Sequence, residues 1–258
     1  MAQGKIRVGI GGWSFEPWRG VFYPEGLRQK DELAYATSQM TAIEINSTYY
    51  GTQSSKSFAH WAAAAPDDFQ YSAKASRFCT NRKILAEAGP SIEKYMGQGL
   101  SELGDKLGPI VWQFPATKKF DAEDFGKLLD LLPDELDERR LRHALDTRNI
   151  SFDDPAFIEL ARSRGMAIVH SDHPEYPLID ANTADFVYAR IMKAQDKLDE
   201  GYSAAELDAW AEKARKWAMN GRDVYLFFIS GAKVRNPAAA QALIKRLGPA
   251  KLGEPAKS

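Results

Sequence analysis

The chain has 258 residues, long enough to bury a sizeable core, which excludes the small folds that disulfides or metals hold together. Its 34 basic and 35 acidic residues give a formal net charge of -1, so no overall field attracts nucleic acid or an anionic membrane. Hydrophobic residues make up 44% and charged residues 27%, the composition of an ordinary globular protein.

Eight short runs rich in β-branched and aromatic residues alternate with longer segments of helical period. The runs are 5–11, 41–46, 69–75, 109–114, 142–148, 166–171, 185–191 and 223–229. This alternation predicts parallel βα units rather than hairpins. Eight strands in about 250 residues favour a single (β/α)8 TIM barrel, because a doubly wound sheet of this length has fewer strands.

Helix boundaries follow the same order along the chain. They are Asp121 before an apolar stripe stopped by Pro133, Asp154 and Pro155 before a stripe stopped by Gly165, a capping box of Ser203 with Glu206, and Asn236 with Pro237 before a helix that closes at Gly248. Pro174 and Pro177 interrupt the segment 171–184, so we predict an irregular connection between strands 6 and 7. The barrel domain is placed at 1–248, followed by a flexible tail at 249–258 that has few apolar residues.

Polar residues fall late in most of the predicted strands and keep one alternation. They are Glu44, Asn46, Ser72, Lys74, Gln113, Asp146, Arg148, His170, Asp172, Tyr188 and Arg190. Alternate residues of a barrel strand face the interior, and barrel active sites lie at the carboxyl ends of the strands. Burying this many polar groups without hydrogen-bond partners would cost free energy, and we therefore expect a polar pocket at the carboxyl ends of the strands. The alternative is a structural ion-pair network, with Glu44 paired to Lys74 and Asp146 to Arg148.

The segment 11–24, GGWSFEPWRGVFYP, is unusually aromatic for a loop. It is either a folded lid or a hydrophobic plug, and the plug interpretation suits Trp18 and Phe22. Trp13, just past the first strand, is better placed to stack on a ligand, as are Tyr49 and Tyr50 after the second strand.

Metal and cofactor sites have little support in the sequence. Oxygen and imidazole ligands are available at strand ends, but they lack diagnostic spacing: Glu44, Asp146, His170, Asp172 and His173. Lys74 and two arginines could satisfy these acids instead, so we predict no metal. No glycine-rich phosphate motif occurs, and no cofactor is predicted. Cys79 is the only cysteine, which excludes an internal disulfide. With no secretory or membrane-spanning segment in the sequence, we expect a cytoplasmic location.

Six ordered motifs resemble those of the domain-of-unknown-function 72 family, the YecE-like TIM barrels. They are GGWSFEPWRGVFYP, IEINSTYYG from Ile43, FQYSAKASRF from Phe69, LGPIVWQFP from Leu107, DTRNISF from Asp146 and DFVYARI from Asp185. The resemblance extends from Val8 to about Leu247 and implies a single-domain barrel. It implies no reaction, because the activity of that family is unassigned.

Carried over position by position, the family's polar positions fall on Trp13, Glu44, Asn46, Tyr50, Lys74, Gln113, Asp146, Arg148, Asp172, Tyr188 and Arg190. The chain also departs from the family pattern. Family members usually have Glu at Asp146, His at Asn149 and Met192, and Asn at Ile229 and Ser230. A role that rests on those histidines therefore does not transfer to this chain.

Our leading hypothesis is an enzyme that performs acid/base chemistry of isomerase, lyase or hydrolase type on a small anionic or polyhydroxylated metabolite. Glu44 is the predicted base and Lys74 the acid or electrostatic stabiliser, with Asp146 and Asp172 as further catalytic groups. Lys74 as a Schiff-base amine is a weaker option. The predicted substrate-binding residues are Trp13, Asn46, Tyr50, Gln113, Arg148, Tyr188 and Arg190, with the two arginines holding the anion.

Two other functions stay open from the sequence. One is a non-catalytic protein that binds a metabolite, or nucleic acid through the loops carrying Arg77, Arg82, Lys83, Lys118 and Lys119. The other is a metal-dependent phosphoester hydrolase. No membrane partner is predicted, and the oligomeric state is not determined by the sequence.

Overall fold

The computed structural model describes residues 3–248, so the predicted tail 249–258 lies outside the described residues. The strands are β1 Ile6–Gly11, β2 Ala42–Ile45, β3 Gln70–Lys74, β4 Leu107–Gln113, β5 Glu135–Leu136, β6 Arg139–Arg140, β7 His143–Asp146, β8 Ala167–Ile168, β9 His170–Ser171, β10 Phe186–Ile191 and β11 Asp223–Phe228. The helices are α1 Glu32–Gln39, α2 Ser47–Tyr50, α3 Ser55–Ala63, α4 Arg77–Thr80, α5 Gly89–Met96, α6 Ala122–Asp130, α7 Pro155–Ser163, α8 Ala204–Trp217 and α9 Asn236–Leu247.

Nine parallel strands form one sheet in the order β8, β7, β4, β3, β2, β1, β11, β10, β9. The two strands at its ends, β8 and β9, are separated in the chain by Val169 alone, so one short run joins both edges. The sheet is thereby a nearly closed barrel with helices around it, and the predicted α/β barrel is confirmed. The sixth predicted strand is divided into β8 and β9.

The helix boundaries follow local hydrogen bonding. The side chain of Asp121 accepts the Asp124 N–H ahead of α6, and Ser203 and Glu206 form the predicted capping box of α8. α9 ends at Leu247 and is capped by Gly248, the residue predicted to close it. The side chains of Asp121 and Ser203 each accept an N–H group that the helix leaves unbonded, which is why these two residues mark helix starts. No helix in residues 3–248 has the length and apolar character required to cross a bilayer.

Two apolar regions hold the barrel together. A small cluster that includes Ala42, Val111, Ala144 and Phe227 fills the interior of the sheet. A larger one fills the space between sheet and helices, where Phe125 packs among other phenylalanine rings. The interior is therefore closed by side chains below the mouth, which leaves the carboxyl ends of the strands as the place for polar groups.

The alternation predicted for the sixth strand is wrong. Val169 belongs to the interior cluster, whereas the ring of His170 packs outside the barrel, 5.0 Å from that of Trp217. Ala167 also belongs to the interior cluster and Ile168 to the outer one, so the alternation continues regularly across the break between β8 and β9. The prediction chose the wrong face of this strand because it followed the polar residues. The connection from 172 to 185 contains no helix, as predicted. The β5–β6 hairpin is not predicted, because Asp137 and Glu138 adopt positive φ in a turn that usually contains Asn or Gly.

Arg7 lies at the opposite end of the barrel from the mouth and is poorly paired. It is 6% exposed, and its contact with a carboxylate is a 3.3 Å hydrogen bond from Nη2 to Asp68. Within residues 3–248, its buried Nε and Nη1 atoms have no hydrogen-bond partner. Arg142 nearby is well paired, because its Nη1 donates to Asp223 at 2.7 Å and to the Tyr225 hydroxyl at 3.1 Å.

This difference predicts opposite effects on stability. Arg7→Met is expected to leave the free energy of unfolding unchanged or raise it by about 1 kcal/mol, because a buried, incompletely paired charge is removed. Arg142→Met is expected to lower it by about 1 to 2 kcal/mol, because Asp223 loses its cationic partner and keeps only the Lys5 N–H. Urea unfolding followed by circular dichroism measures both variants. A loss of stability in Arg7→Met as large as that in Arg142→Met would contradict the prediction.

Candidate active site at the barrel mouth

An open cleft of about 740 Å³ lies at the carboxyl ends of the strands. This volume is within the usual range for small-molecule sites. Its lining includes seven of the predicted site residues, which are Trp13, Asn46, Tyr50, Lys74, Gln113, Arg148 and Arg190. The remainder of the lining is largely aromatic or small, including Phe15, Trp18, Tyr49 and Trp61. The cleft therefore combines positive charge with aromatic surface.

Arg190, on β10, is the central residue of the cleft floor. Its Nη2 donates to both carboxylate oxygens of Glu44 at 2.7 Å, and its Nε donates to Oε2 at 3.1 Å. The Tyr188 hydroxyl donates to the same Oε2 at 2.6 Å. The Tyr188 hydroxyl proton is engaged with Glu44. The Tyr188 oxygen therefore accepts a hydrogen bond from the Ser72 hydroxyl, at 2.8 Å. Glu44 is fully buried and has accepted bonds on both oxygens.

A second carboxylate, Asp146 on β7, holds the other side of Arg190. Arg190 Nη1 donates to Asp146 Oδ2 at 2.6 Å and to the Gln113 amide oxygen at 2.9 Å. Arg148 Nη2 donates to the same amide oxygen at 2.6 Å and to Asp146 Oδ2 at 3.2 Å. Gln113 and Asp146 lie side by side in the register of β4 and β7, which is why both accept from the two guanidinium groups.

Burial and charge act in opposite directions on Arg190. Its burial lowers the pKa, but the charges of Glu44 and Asp146 outweigh that effect and raise the pKa above the usual arginine value. Arg190 is therefore a permanent cation fixed by two carboxylates. Burial also raises the pKa of Tyr188 well above its usual value, and the neighbouring Glu44 adds to that increase. The Tyr188 hydroxyl is consequently a hydrogen-bond donor, and not a group that titrates near neutral pH.

Lys74, on β3, is a cation of the cleft that forms no ion pair with Glu44 or Asp146. Within residues 3–248, its Nζ has no hydrogen-bond partner and no carboxylate oxygen within 4.0 Å. Nζ instead lies over the Tyr49 ring, 4.3 Å from the ring centroid. Burial, and then the charge of Arg190, lower the pKa of Lys74 to about 8, although Glu44 and Asp146 oppose the shift. The lysine thus exists in both protonation states near physiological pH.

The charges around the cleft do not balance. Two carboxylates, Glu44 and Asp146, face three cations, Lys74, Arg148 and Arg190. Among the residues that line the cleft, four are cations and none is Asp or Glu, the fourth cation being Lys233. Excess positive charge in a partly desolvated cleft favours an anion.

The aromatic wall of the cleft begins at the end of β1. Gly12 has a φ of 74°, which glycine adopts without strain, and this turn places Trp13 in the lining. The rings of Trp13 and Trp61 meet edge to face at 5.2 Å. Trp18 is buried and its Nε1 donates to the Lys233 carbonyl at 3.0 Å, so the aromatic segment is tied to the chain after β11.

The predicted site residues fall into three groups. Seven line the cleft, and Glu44, Asp146 and Tyr188 lie beneath it in direct contact with Arg190 or its partners. Asp172 does not join them: it is not in the lining, and its Oδ1 accepts the N–H of Met192 at 2.5 Å. Burial raises the pKa of Asp172.

Of the predicted ion pairs, that between Asp146 and Arg148 is present at 3.2 Å, although the contact of Asp146 with Arg190 is shorter, at 2.6 Å. The predicted pair between Glu44 and Lys74 is replaced by the pair of Glu44 with Arg190. The structure therefore leaves Lys74 outside the ion-pair network that the sequence offered as the alternative.

Sequence reasoning missed several residues in or beside the cleft, among them Lys233, Tyr176 and Trp61. Lys233 lies above Phe15, with Nζ 4.1 Å from the ring centroid, and burial lowers its pKa. Tyr176 lies beside Arg148, 4.7 Å from guanidinium carbon to ring centroid, and Trp61 lines the cleft from α3. A search for basic residues after the eighth strand would have found Lys233. Tyr176 and Trp61 carry no local sign of their positions.

The basic loop residues do not line the cleft, and the candidate metal ligands do not come together as a group. Lys118 pairs with Asp124 at 2.7 Å, and Arg82 donates to the Glu87 carbonyl, so part of the basic charge has protein partners. In residues 3–248, no group of three or more His, Cys, Asp or Glu side chains is arranged to hold a metal ion. His170 contacts Lys213, with a 3.0 Å separation between their nitrogens.

Of the positions that depart from the family pattern, two have side-chain hydrogen bonds to other parts of the chain and two line the cleft. Asn149 donates to the Ala116 carbonyl at 2.6 Å, and Met192 Sδ accepts from the Ser171 hydroxyl at 3.3 Å. Ile229 and Ser230 both line the cleft. Ser230 has a φ of 65°, a conformation that Asn adopts more readily than Ser.

Several solved structures share this fold. A DUF72 family protein from Thermotoga maritima is 25% identical, with 94% of this chain and 98% of that chain covered and a TM-score of 0.75. A DUF72 family protein from Enterococcus faecalis is 17% identical, with 97% and 100% covered and a TM-score of 0.73. A sugar phosphate isomerase/epimerase from Parabacteroides distasonis is 13% identical, with 96% of each chain covered and a TM-score of 0.56, a likeness of fold alone.

No curated protein matches the sequence. The model of the family described as "Protein of unknown function DUF72" matches residues 7–258. This match covers nearly the whole chain, and it agrees with the two structural neighbours that carry the same family name. The chain therefore belongs to the DUF72 family of proteins of unknown function.

Proposed function

We propose that the cleft binds a small anionic, polyhydroxylated metabolite and performs acid/base chemistry on it, of isomerase, lyase or hydrolase type. The observation that carries the proposal is the unpaired Lys74 in a lining of four cations without a carboxylate. An anion would neutralise the charge that Glu44 and Asp146 leave uncompensated. A protein of the same fold is named a sugar phosphate isomerase/epimerase, so such barrels accommodate this substrate class.

Lys74 is assigned the role of general acid and base. A group is most effective in proton transfer when its pKa lies near the working pH, and the pKa of Lys74 is about 8. Glu44 is less suited to this role, because both of its oxygens accept bonds from Arg190 or Tyr188. We therefore assign Glu44, Asp146 and Tyr188 to positioning Arg190.

The remaining lining residues bind and orient the substrate. Arg148 is 17% exposed at its side chain, so its guanidinium is open to an anionic group from the cleft. Lys233 is a second cation for the same charge. Trp13 and Tyr50 offer flat apolar surfaces, and the Asn46 amide faces the cleft as a donor and acceptor for hydroxyl groups.

We expect the protein to exchange a carbon-bound hydrogen of a sugar phosphate with solvent. The protein is incubated in deuterated water with a panel of pentose and hexose phosphates, and proton NMR measures the loss of a C–H signal next to the carbonyl. Lys74→Met is expected to lower the exchange rate by about 10² to 10⁴, the usual contribution of a general acid or base.

Lys216→Met is the matched control, because Lys216 is exposed on α8, and it should exchange at the wild-type rate. Unphosphorylated sugars test the requirement for an anion and should react far more slowly. Equal exchange rates for wild type and Lys74→Met would refute the assignment of Lys74. Binding of the panel without exchange of any member would show a binding protein instead of an enzyme.

A further inference from the structure

We propose that Lys74 forms a covalent imine with the carbonyl carbon of an anionic aldehyde or ketone bound in the cleft. This inference rests on the proposed function and narrows its substrate class from anionic metabolites to anionic carbonyl compounds. It also assigns Lys74 a nucleophilic role beyond proton transfer.

The position of the amine carries the proposal. Lys74 belongs to the lining of the open cleft, so a ligand in the cleft can reach its side chain. In the described part of the chain, Nζ has no hydrogen-bond partner that would occupy its lone pair after deprotonation. A lysine held in a salt bridge would have to break that bond before it could attack a carbonyl. Arg190 has taken both carboxylates that could have held Lys74, through contacts of 2.6 and 2.7 Å.

The surroundings also make the neutral amine available. Burial, and then the charge of Arg190, disfavour the ammonium form, and the pKa of Lys74 is lowered to about 8. Lysines that form Schiff bases are activated in this way, by desolvation or by a neighbouring cation. At neutral pH the fraction of neutral amine is thus about 300 times that of an ordinary lysine.

The same site is suited to the cationic iminium that results. The Tyr49 ring lies 4.3 Å from Nζ, and an aromatic face attracts a cation at this distance. The charges of Glu44 and Asp146 act favourably on a positive Lys74. The iminium is therefore stabilised by groups already in place, while Arg148 and Lys233 bind the negative group of the ligand.

Imine formation adds the Lys74 amine to the carbonyl carbon and releases water. The ammonium first loses a proton to solvent, and the nitrogen lone pair attacks the carbonyl carbon, so a C–N bond forms and the oxygen takes the π electrons. A proton passes from nitrogen to that oxygen to give a carbinolamine. The C–O bond then breaks, and with one further proton from solvent the hydroxyl leaves as water. The nitrogen lone pair forms the C=N bond of the iminium.

Reductive trapping tests the inference. The full-length protein is incubated near neutral pH with glycolaldehyde phosphate and sodium cyanoborohydride, which delivers hydride to the iminium carbon and leaves a stable secondary amine. Peptide mass spectrometry then locates the modified lysine. We expect Lys74 to be modified about tenfold to a hundredfold faster than the exposed Lys56 or Lys216, since more of it is neutral. Glycolaldehyde, the uncharged probe, should lose most of this preference.

Two variants keep the test independent of folding. Lys74→Arg retains the positive charge but has no nucleophilic amine, so it should still be stabilised thermally by hexose phosphates yet give no adduct at this position. Lys216→Met should be trapped at Lys74 like the wild type. Modification of Lys74 no faster than of the exposed lysines would overturn the inference.

The outcome is separable from that of the hydrogen-exchange test. Exchange that depends on Lys74 without any trapped adduct would leave the proposed function in place and overturn the imine. If the wild-type protein shows neither hydrogen exchange nor thermal stabilisation with sugar phosphates, the proposed function is contradicted, and the imine proposal that rests on it is contradicted too.

Discussion

Replacing Arg190 with leucine is expected to lower the free energy of unfolding by about 3 to 5 kcal/mol, because buried Glu44 loses the cation that pairs with it and buried Asp146 loses the nearer of its two cations. Arg190 is 1% exposed and Glu44 is completely buried, so water cannot replace the lost contacts. Asp146 retains only Arg148, at 3.2 Å. Breaking a buried ion pair by removing one partner is far more costly than replacing the whole group with apolar residues, since the remaining charge stays desolvated.

Chemical denaturation followed by tryptophan fluorescence measures this loss. Arg162→Leu is the control, because Arg162 pairs with Glu159 on the surface of α7 at 2.9 Å, and both side chains are largely exposed. That variant should change stability by less than about 0.5 kcal/mol. An Arg190→Leu protein as stable as Arg162→Leu would show that the network contributes little to folding.

Replacing Lys74 with methionine should raise the free energy of unfolding, in contrast to Arg190→Leu, and the size of the increase should depend on pH. The pKa of Lys74 is about 8 in the folded chain, below the ordinary value of 10.5. Between these two values the unfolded chain binds more protons than the folded one, so stability contributed by this site rises as the pH increases. The cost of holding the ammonium in the cleft is fully present below about pH 8 and vanishes above 10.5. Integrated over the window, it reaches about 3 kcal/mol.

The measurement is the difference between wild type and Lys74→Met, because other lysines and tyrosines also titrate in this range. We expect the variant to be the more stable protein near neutral pH, with an advantage that shrinks as the pH rises from about 8 toward 10. Lys216→Met provides the baseline, since Lys216 is exposed on α8. A stability difference that does not change with pH would mean that the pKa of Lys74 is not lowered.

These two predictions concern neighbouring residues with opposite effects on stability: Arg190 stabilises the folded protein, and Lys74 destabilises it. Arg190, Glu44 and Asp146 form a network whose charges satisfy one another, whereas Lys74 is a cation beside other cations. Residues that violate local energetic rules concentrate at functional sites. A variant that gains stability and loses hydrogen exchange would identify Lys74 as such a residue.

The strand and helix positions were accessible from the sequence because they depend on local patterns. Apolar runs and their alternation marked the barrel strands, and Asp121 and Ser203 marked the starts of α6 and α8. The same alternation brought Lys74 and Gln113 to the barrel mouth, because side chains of a strand point to alternate sides. In the sixth predicted strand the polar residues indicated the wrong face, because Ala167 and Val169 point into the barrel and His170 packs outside it.

The pairing of charges was decided by the tertiary structure. The register of β2 with β3 places Glu44 beside Ser72, so Lys74 lies two residues further toward the mouth, out of reach of the carboxylate that sequence proximity suggested. Glu44 instead meets Arg190, which comes from β10 across two intervening strands. Alternation is a property of one strand, but a partner is chosen by register and barrel closure, which join residues far apart in the chain. The sequence by itself thus determined the barrel and most of the side chains at its mouth, and the closed sheet decided which cation stayed unpaired.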